Sequence, residues 1–208
     1  MKLKLCGIRS SEDIEYMNEF RPDYIGYVFA PSPRRITPKH ARKLNKKLAI
    51  GIRSAGVFVN EPVDELIDAV KISGVDVIQL HGDETREYIS ELRKLTDKKI
   101  WKAVRVRDSS DIVRADMFGA DALVLDSYSR SRYGGTGKTS DWDVISNIRI
   151  STPFFMAGGI DTSNLSNCVS EIDPYGIDIS GGIETDGHKD HEKIKQIMKI
   201  INPYRFDS

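Results

Sequence analysis

Phe154-Phe155-Met156-Ala157-Gly158-Gly159-Ile160 and Gly176-Ile177-Asp178-Ile179-Ser180-Gly181-Gly182-Ile183 share one form: a short apolar run that stops at a glycine pair. Runs of that length bounded by glycine read as buried strands, here Phe154–Ala157 and Gly176–Ile179. The segment between them, from Thr162, reads as a helix. Strands joined through a helix run parallel, because a parallel pair needs a long crossover. The same unit recurs toward the N-terminus. Strand Ala122–Asp126 precedes a long loop and a helix starting near Trp142, which Asp141 can cap. Ile100–Val106 precedes a helix at Asp111–Phe118, and Val75–Leu80 precedes one bearing Tyr88, Ile89, Leu92 and Leu95. Ala55–Val59 precedes a helix with Pro62 at its start and a stripe of Val63, Leu66, Ile67 and Val70. Tyr24–Phe29 precedes a helix opened by Thr37-Pro38 and running to about Leu48. Lys2–Cys6 precedes a helix capped by Ser10 or Ser11 and carrying Ile14, Met17 and Phe20. A last helix spans about Asp190–Ile201, and Asn202–Ser208 is expected to fray.

Eight strand–helix units fill the 208 residues, about 26 each. That predicts one domain over 1–208, an α/β parallel eight-stranded (β/α)8 TIM barrel close to the smallest size the fold tolerates. Lys plus Arg and Asp plus Glu both number 31, so no bulk field directs the chain to nucleic acid. No apolar run has membrane-spanning length, and Met1 leads into Lys2-Leu3-Lys4-Leu5 without a signal-peptide profile. Cys6 and Cys168 form neither a disulfide framework nor a zinc spacing, which suits a reducing cytoplasm. Neither His188 nor His191 has a set of partners that would make a metal site.

In such barrels the site lies at the C-terminal ends of the strands. Two loops there exceed the minimum, Ala30–Ile36 and Ser127–Ser140, and both read as lids. Gly158 and Gly159, with Ser180, Gly181 and Gly182, stand after strands seven and eight, where this fold holds phosphate; the plainer alternative is a pair of tight turns. Gly134-Gly135-Thr136-Gly137-Lys138-Thr139 fails the spacing of a nucleotide-binding P-loop and reads as a glycine-rich lid. Cys6 ends strand one and Asp126 ends strand six. The cysteine is either a small buried hydrophobe or a base, and as a base it needs its thiol acidified, for which Lys4 has the right parity. Asp126 is either a turn cap or a general acid. Arg34, in Pro31-Ser32-Pro33-Arg34-Arg35, is either a solvated turn residue or a carboxylate clamp. Gln79 and His81 share an inward parity on strand four, and Asp178 and Ser180 share one on strand eight; Gln79 and Asp178 suit a hydrogen-bond network.

Together these residues resemble the phosphoribosylanthranilate isomerases of tryptophan biosynthesis. The marks are Lys4-Leu5-Cys6-Gly7-Ile8, Ser32-Pro33-Arg34, Ile78-Gln79-Leu80-His81-Gly82-Asp83-Glu84, the Gly134–Thr139 lid followed by Asp141-Trp142, Ala157-Gly158-Gly159, and Asp178-Ile179-Ser180-Gly181-Gly182-Ile183-Glu184. The resemblance implies an Amadori rearrangement of a phosphoribosylated anthranilate, without cofactor or metal. It implies Asp126 as acid, Cys6 as base, and Arg34 on the anthranilate carboxylate. It implies Gly158, Gly159, Ser180, Gly181 and Gly182 on the phosphate, with Gln79 and His81 in the substrate-binding set. The implied partner is a small phosphorylated molecule, not nucleic acid or membrane, and the chain is expected as monomer or homodimer. Three positions depart from the family pattern: Gly181 replaces a second serine, Arg9 a common threonine, and Ser140 a frequent aromatic. The related isomerase of histidine biosynthesis would carry a carboxylate where Cys6 stands. An indoleglycerol-phosphate synthase would carry a lysine acid and a glutamate base. A non-catalytic scaffold would have no need of both Cys6 and Asp126.

Overall fold

In the computed structural model, which describes residues 1–127, 142–146 and 148–205, eight parallel strands close into a barrel in sequence order. The elements are β1 (Lys2–Cys6), α1 (Ser11–Phe20), β2 (Tyr24–Val28), α2 (Pro38–Asn45), β3 (Arg53–Phe58), α3 (Val63–Ser73), β4 (Val77–Leu80), α4 (Arg86–Leu92) and β5 (Lys99–Val106). They continue as α5 (Ser109–Asp116), β6 (Ala122–Ser127), α6 (Trp142–Ser146), β7 (Phe154–Ala157), α7 (Leu165–Ile172), β8 (Gly176–Ile179) and α8 (His191–Arg205). The barrel closes where Lys4 of β1 lies beside Asp178 of β8 and Tyr24 of β2.

Strand alternation sorts side chains into two cores. Leu3, Leu5, Ile25, Ile78, Leu80, Leu123, Met156 and Ile177 face outward and pack with the apolar stripes of the helices. Tyr24, Ala55, Val77, Trp101, Ala103, Val124, Phe155 and Ala157 fill the lumen. Trp101 meets Tyr24 and Phe155 at ring-centroid distances of 4.8 and 4.6 Å, so the lower barrel is plugged and its upper mouth is left for chemistry.

Local chemistry sets the helix starts. Ser10 and Asp13 form a reciprocal capping box on α1, and Thr37 caps α2 ahead of Pro38. Helix α2 ends at Asn45, three residues short of expectation, with Lys46–Leu48 in a turn. Helix α7 begins at Leu165, not Thr162, because Asp161 and Asn164 engage one another's loop: Ser163 N donates to Asp161 Oδ1 at 2.8 Å and Asp161 N to Asn164 Oδ1 at 3.0 Å. Asn202–Arg205, expected to fray, is helical, and residues 206–208 lie outside those described. Helix α8 runs to Arg205, whose guanidinium reaches Asp23 and the Arg21 carbonyl, while Tyr204 O accepts from the N-terminal ammonium. After β8 comes a feature absent from the sequence reading: a 3-10 turn at Gly181–Ile183, then two-residue strands β9 (Glu184–Thr185) and β10 (His188–Lys189) paired as a hairpin. The expected lid Ser127–Ser140, with Lys138, and the cap at Asp141 fall on residues that are, apart from the backbone of Ser127, outside those described. The described helices include none long and apolar enough to cross a membrane.

Candidate active site

Cys6 and Asp126 both have inward parity at the C-terminal ends of their strands. Cys6 pairs with Gly26 of β2, and Asp126 pairs with Arg105 of β5 and Ala157 of β7. The Cys6 residue is 8% exposed, so it borders the mouth and is not sealed away, and the Asp126 side chain is 31% exposed. Gly26 leaves the space that the sulfur occupies; a Cβ there would overlap Sγ.

The environment of the thiol differs from expectation in one respect. Lys4 does point inward beneath Cys6, but its ammonium is held 2.7 Å from Asp178 Oδ2 with both groups buried. Burial pushes the Cys6 thiol up, Lys4 and Lys189 pull it down, and Asp178 pushes it up again; the net position is above the usual thiol value. Burial is the larger influence, so the balance stays above the usual thiol value although Lys4, itself paired with Asp178, still draws it down. Burial lowers Lys4, but attraction to Asp178 and Cys6 outweighs it and leaves the ammonium above its ordinary value. Cys168, on the buried face of α7, is a structural contrast: burial pushes it up to about 12.

Asp126 faces His81, with Oδ2 at 3.4 Å from Nε2. Gln79 Nε2 lies 3.1 Å from His81 Nδ1, so a buried amide orients the ring that touches the carboxyl. Gln79 itself is 1% exposed and reaches the mouth only through His81, as a network residue. The turn after His81 is held by a buried pair: Lys102 donates to Gly82 O at 2.6 Å and to Glu84 at 3.0 Å, and Glu84 accepts from the backbone of Asn60 and Gly82. A cavity of about 1200 Å³ opens here, its walls including His81, Lys102, Arg105 and Asp126. Among the described residues Cys6, Arg34 and the glycine pairs are not part of its lining; they stand on the β7–β8–β1–β2 side of the mouth.

On that side Gly158 and Gly159 adopt φ of 86° and 67°, the left-handed region open to glycine. A Cβ on Gly182 would meet the Ile160 carbonyl and the Asp161 backbone, so the two phosphate-type turns are in close approach. Ser180 Oγ donates to Cys6 O at 3.2 Å. Arg34 is not a free turn residue. Its Nε and Nη2 grip Glu184 at 2.8 and 2.5 Å, and Lys189 donates to the same carboxylate at 2.7 Å. Burial pushes Glu184 up, but the bonds and charges of Arg34 and Lys189 prevail and hold it at about 2. Glu184 had appeared only as the end of a motif, and Lys189, 8% exposed on a two-residue strand, gives no periodic signal. Among the described residues no group of three or more His, Cys, Asp or Glu is placed to hold a metal.

The family model described as N-(5'phosphoribosyl)anthranilate (PRA) isomerase matches residues 3–200. A curated N-(5'-phosphoribosyl)anthranilate isomerase of Thermoanaerobacter pseudethanolicus is 40% identical over 205 residues, 99% of this chain and 100% of that one. Its counterpart in Acetivibrio thermocellus is 42% identical, over 95% and 94% of the two chains. The crystal structure of phosphoribosyl anthranilate isomerase from Thermotoga maritima superposes with a TM-score of 0.87 at 32% identity, over 98% of this chain and 99% of that one. A phosphoribosyl anthranilate isomerase in complex with reduced 1-(o-carboxyphenylamino)-1-deoxyribulose 5-phosphate gives 0.82 at 28% identity, over 98% and 99%. Full-length similarity, the closed barrel and the motifs at its mouth agree, and this chain belongs to the N-(5'-phosphoribosyl)anthranilate isomerase family.

Proposed function

We propose that this chain isomerises N-(5'-phosphoribosyl)anthranilate to 1-(2-carboxyphenylamino)-1-deoxyribulose 5-phosphate in tryptophan biosynthesis, with Asp126 as general acid and Cys6 as general base. The observation that carries the reading is the arrangement of these two groups. Both stand at strand ends around one mouth, with phosphate-type glycine turns on β7 and β8 between β6 and β1. An aldose-to-ketose shift needs one proton delivered to the ring oxygen and one removed from C2' of the same sugar. In the proposed sequence Asp126 gives its proton to the furanose ring oxygen, and the C1'–O bond breaks to leave an open-chain iminium. Cys6 as thiolate then takes the C2' proton, and its electrons form an enolamine that tautomerises to the ketone. His81, fixed by Gln79, orients the Asp126 carboxyl. Gly158, Gly159, Ser180, Gly181 and Gly182 hold the phosphate, whose distance from the reacting carbons makes it an anchor for positioning. Arg34 takes the anthranilate carboxylate on the edge that Glu184 leaves free.

The iminium formed by ring opening carries a positive charge beside C2', which acidifies that proton and favours the thiolate next to it. The test is loss of substrate fluorescence on addition of purified protein without metal or nucleotide. Cys6→Ala and Asp126→Asn should each abolish turnover with circular dichroism unchanged. Full activity in either variant removes that residue's role.

A further inference from the structure

Glu184 and Lys189 lie on the β9–β10 hairpin, outside every segment that the proposed chemistry uses. Yet they are buried and charged, which no solvated turn requires. Their partners explain the burial. Lys189 Nζ donates to three acceptors: Cys6 O at 2.6 Å, Glu184 Oε1 at 2.7 Å and Ser180 O at 3.2 Å. Glu184 takes Arg34 in a two-point grip. One ammonium and one carboxylate thus touch the end of β1, the turn after β8 and the loop after β2.

These contacts converge on Gly7, whose φ of +84° lets the chain turn under them. A Cβ there would lie 2.6 Å from Arg34 Cδ, 3.2 Å from Ser180 Oγ and 3.3 Å from Lys189 Nζ. The hairpin is tied down again at its tip, where Arg9 donates to Gly187 O and also to Pro33 O of the β2 loop, the latter at 3.0 Å. Charge is distributed with direction. Two cations share one carboxylate, a surplus of one positive charge, and of the three side chains only Arg34, at 33%, is appreciably exposed, against 7% for Glu184 and 1% for Lys189. Glu184 occupies the Nε–Nη2 edge of the guanidinium, so the Nη1–Nη2 edge is the one left to a ligand.

We infer that the Glu184–Lys189 hairpin is a positioning device for the substrate: Glu184 aims the free edge of Arg34 at a ligand carboxylate, and Lys189 fixes the backbone of Cys6 and Ser180 in register with it. This rests on the proposed isomerase reading for the identity of the ligand. A planar guanidinium clamped on one edge loses little freedom when its other edge binds, which is why a buried carboxylate behind it raises affinity.

The test is a double-mutant cycle on phosphoribosylanthranilate turnover. Glu184→Gln, which keeps volume but offers one acceptor where two were used, should raise KM about tenfold with kcat within about twofold of the parent. In the Arg34→Ala background the same change should add nothing to KM, because Glu184 acts through Arg34. Lys189→Met should lower kcat as well, and Lys189→Arg should recover most of it. If Lys189→Met does not fold, the Glu184 cycle decides alone. An unchanged KM in Glu184→Gln, or effects of Glu184→Gln and Arg34→Ala that simply multiply, would overturn the positioning role while leaving the isomerase reading intact. An Arg34→Ala protein with parental KM would remove the carboxylate clamp, and the hairpin's purpose with it. A parent protein that turns over none of the substrate would instead sink the functional reading on which both depend.

Discussion

Lys4→Met is the most informative single change for the energetics of the mouth. Lys4 Nζ sits 2.7 Å from Asp178 Oδ2, with side-chain exposures of 0% and 7%. Asp178 Oδ1 has no partner among the described residues, so Lys4 is the group that compensates this carboxylate. Methionine fills nearly the same volume without the charge, leaving a buried carboxylate alone, a situation that costs about 3–5 kcal/mol. The cost has a natural ceiling, because the orphaned acid can take up a proton. From an ordinary value near 4 that uptake costs about 4 kcal/mol at pH 7 and about 1.4 kcal/mol at pH 5. Urea unfolding of parent and variant at the two pH values should therefore show a loss of about 4 kcal/mol at pH 7 that shrinks to roughly a third at pH 5. Lys4→Met/Asp178→Leu, which removes both charges, should regain most of it at either pH. An equal loss at both pH values would refute this reasoning and mean that Lys4 contributes packing and not charge compensation.

Three further outcomes follow from the same geometry. Because the Cys6 thiol lies above its usual value, its alkylation by iodoacetamide should still be accelerating at about pH 9; a rate that levels off below about pH 8 would contradict the balance of burial and charge at the sulfur. Gly26→Ala should place a methyl group against Sγ and the Cys6 backbone, costing roughly 1–3 kcal/mol in thermal or urea stability and lowering kcat; a parent-like variant would show that the sulfur is not confined there. Glu184, held at about 2, contributes stability that is present above its unfolded value near 4.3 and is lost as pH falls toward 2. With solvent beside Arg34 taken into account the contribution is roughly 1–2 kcal/mol, so acid titration of Glu184→Gln should show a shallower fall across that window than the parent.

The parts of this protein legible in its sequence are those whose physics is local. β1, β7 and β8 match their expected bounds because an alternating stretch in β1 and largely apolar stretches in β7 and β8 end abruptly at Cys6-Gly7, Gly158-Gly159 and Ser180-Gly181. α1 and α2 start where Ser10 and Thr37 supply a cap. The C-terminal end of α2 and the start of α7 differ from expectation because turns there compete with helix through Lys46–Leu48 and through the Asp161–Asn164 loop, and residue type does not rank that competition. The hairpin β9–β10 escaped because two residues per strand carry no periodicity. The positions of Cys6, Asp126, His81 and Ser180 around one mouth followed from strand parity alone. Their electrostatics did not. Lys4 points inward beneath Cys6 and does draw the thiol down, but burial outweighs it, and Asp178, distant in sequence and adjacent only through barrel closure, pushes the other way.

The buried charge pairs share a placement that shows what they are for. Lys4–Asp178, Lys102–Glu84 and Lys189–Glu184 are all nearly inaccessible. Such pairs add little net stability, and apolar residues of similar volume would often serve the fold as well or better by 1–4 kcal/mol. Their locations argue for another role. Each lies within one or two residues, or one hydrogen bond, of a group assigned to the chemistry: Lys4 beneath Cys6, the Lys102–Glu84 pair under the turn that carries His81, and the Lys189–Glu184 pair behind Arg34 and Ser180. An apolar replacement could fill the space but could not accept from the Asn60 and Gly82 amides, donate to the Cys6 carbonyl or orient a guanidinium. A minimal barrel has few residues to spare for loops that brace one another, and here buried ion pairs supply that bracing from within the wall of the mouth. The corollary is that stability and catalysis should separate: charge-removing double variants at Lys4–Asp178 and Lys102–Glu84 should unfold in urea near the parent's midpoint and turn over substrate far more slowly, whereas single variants there should lose both.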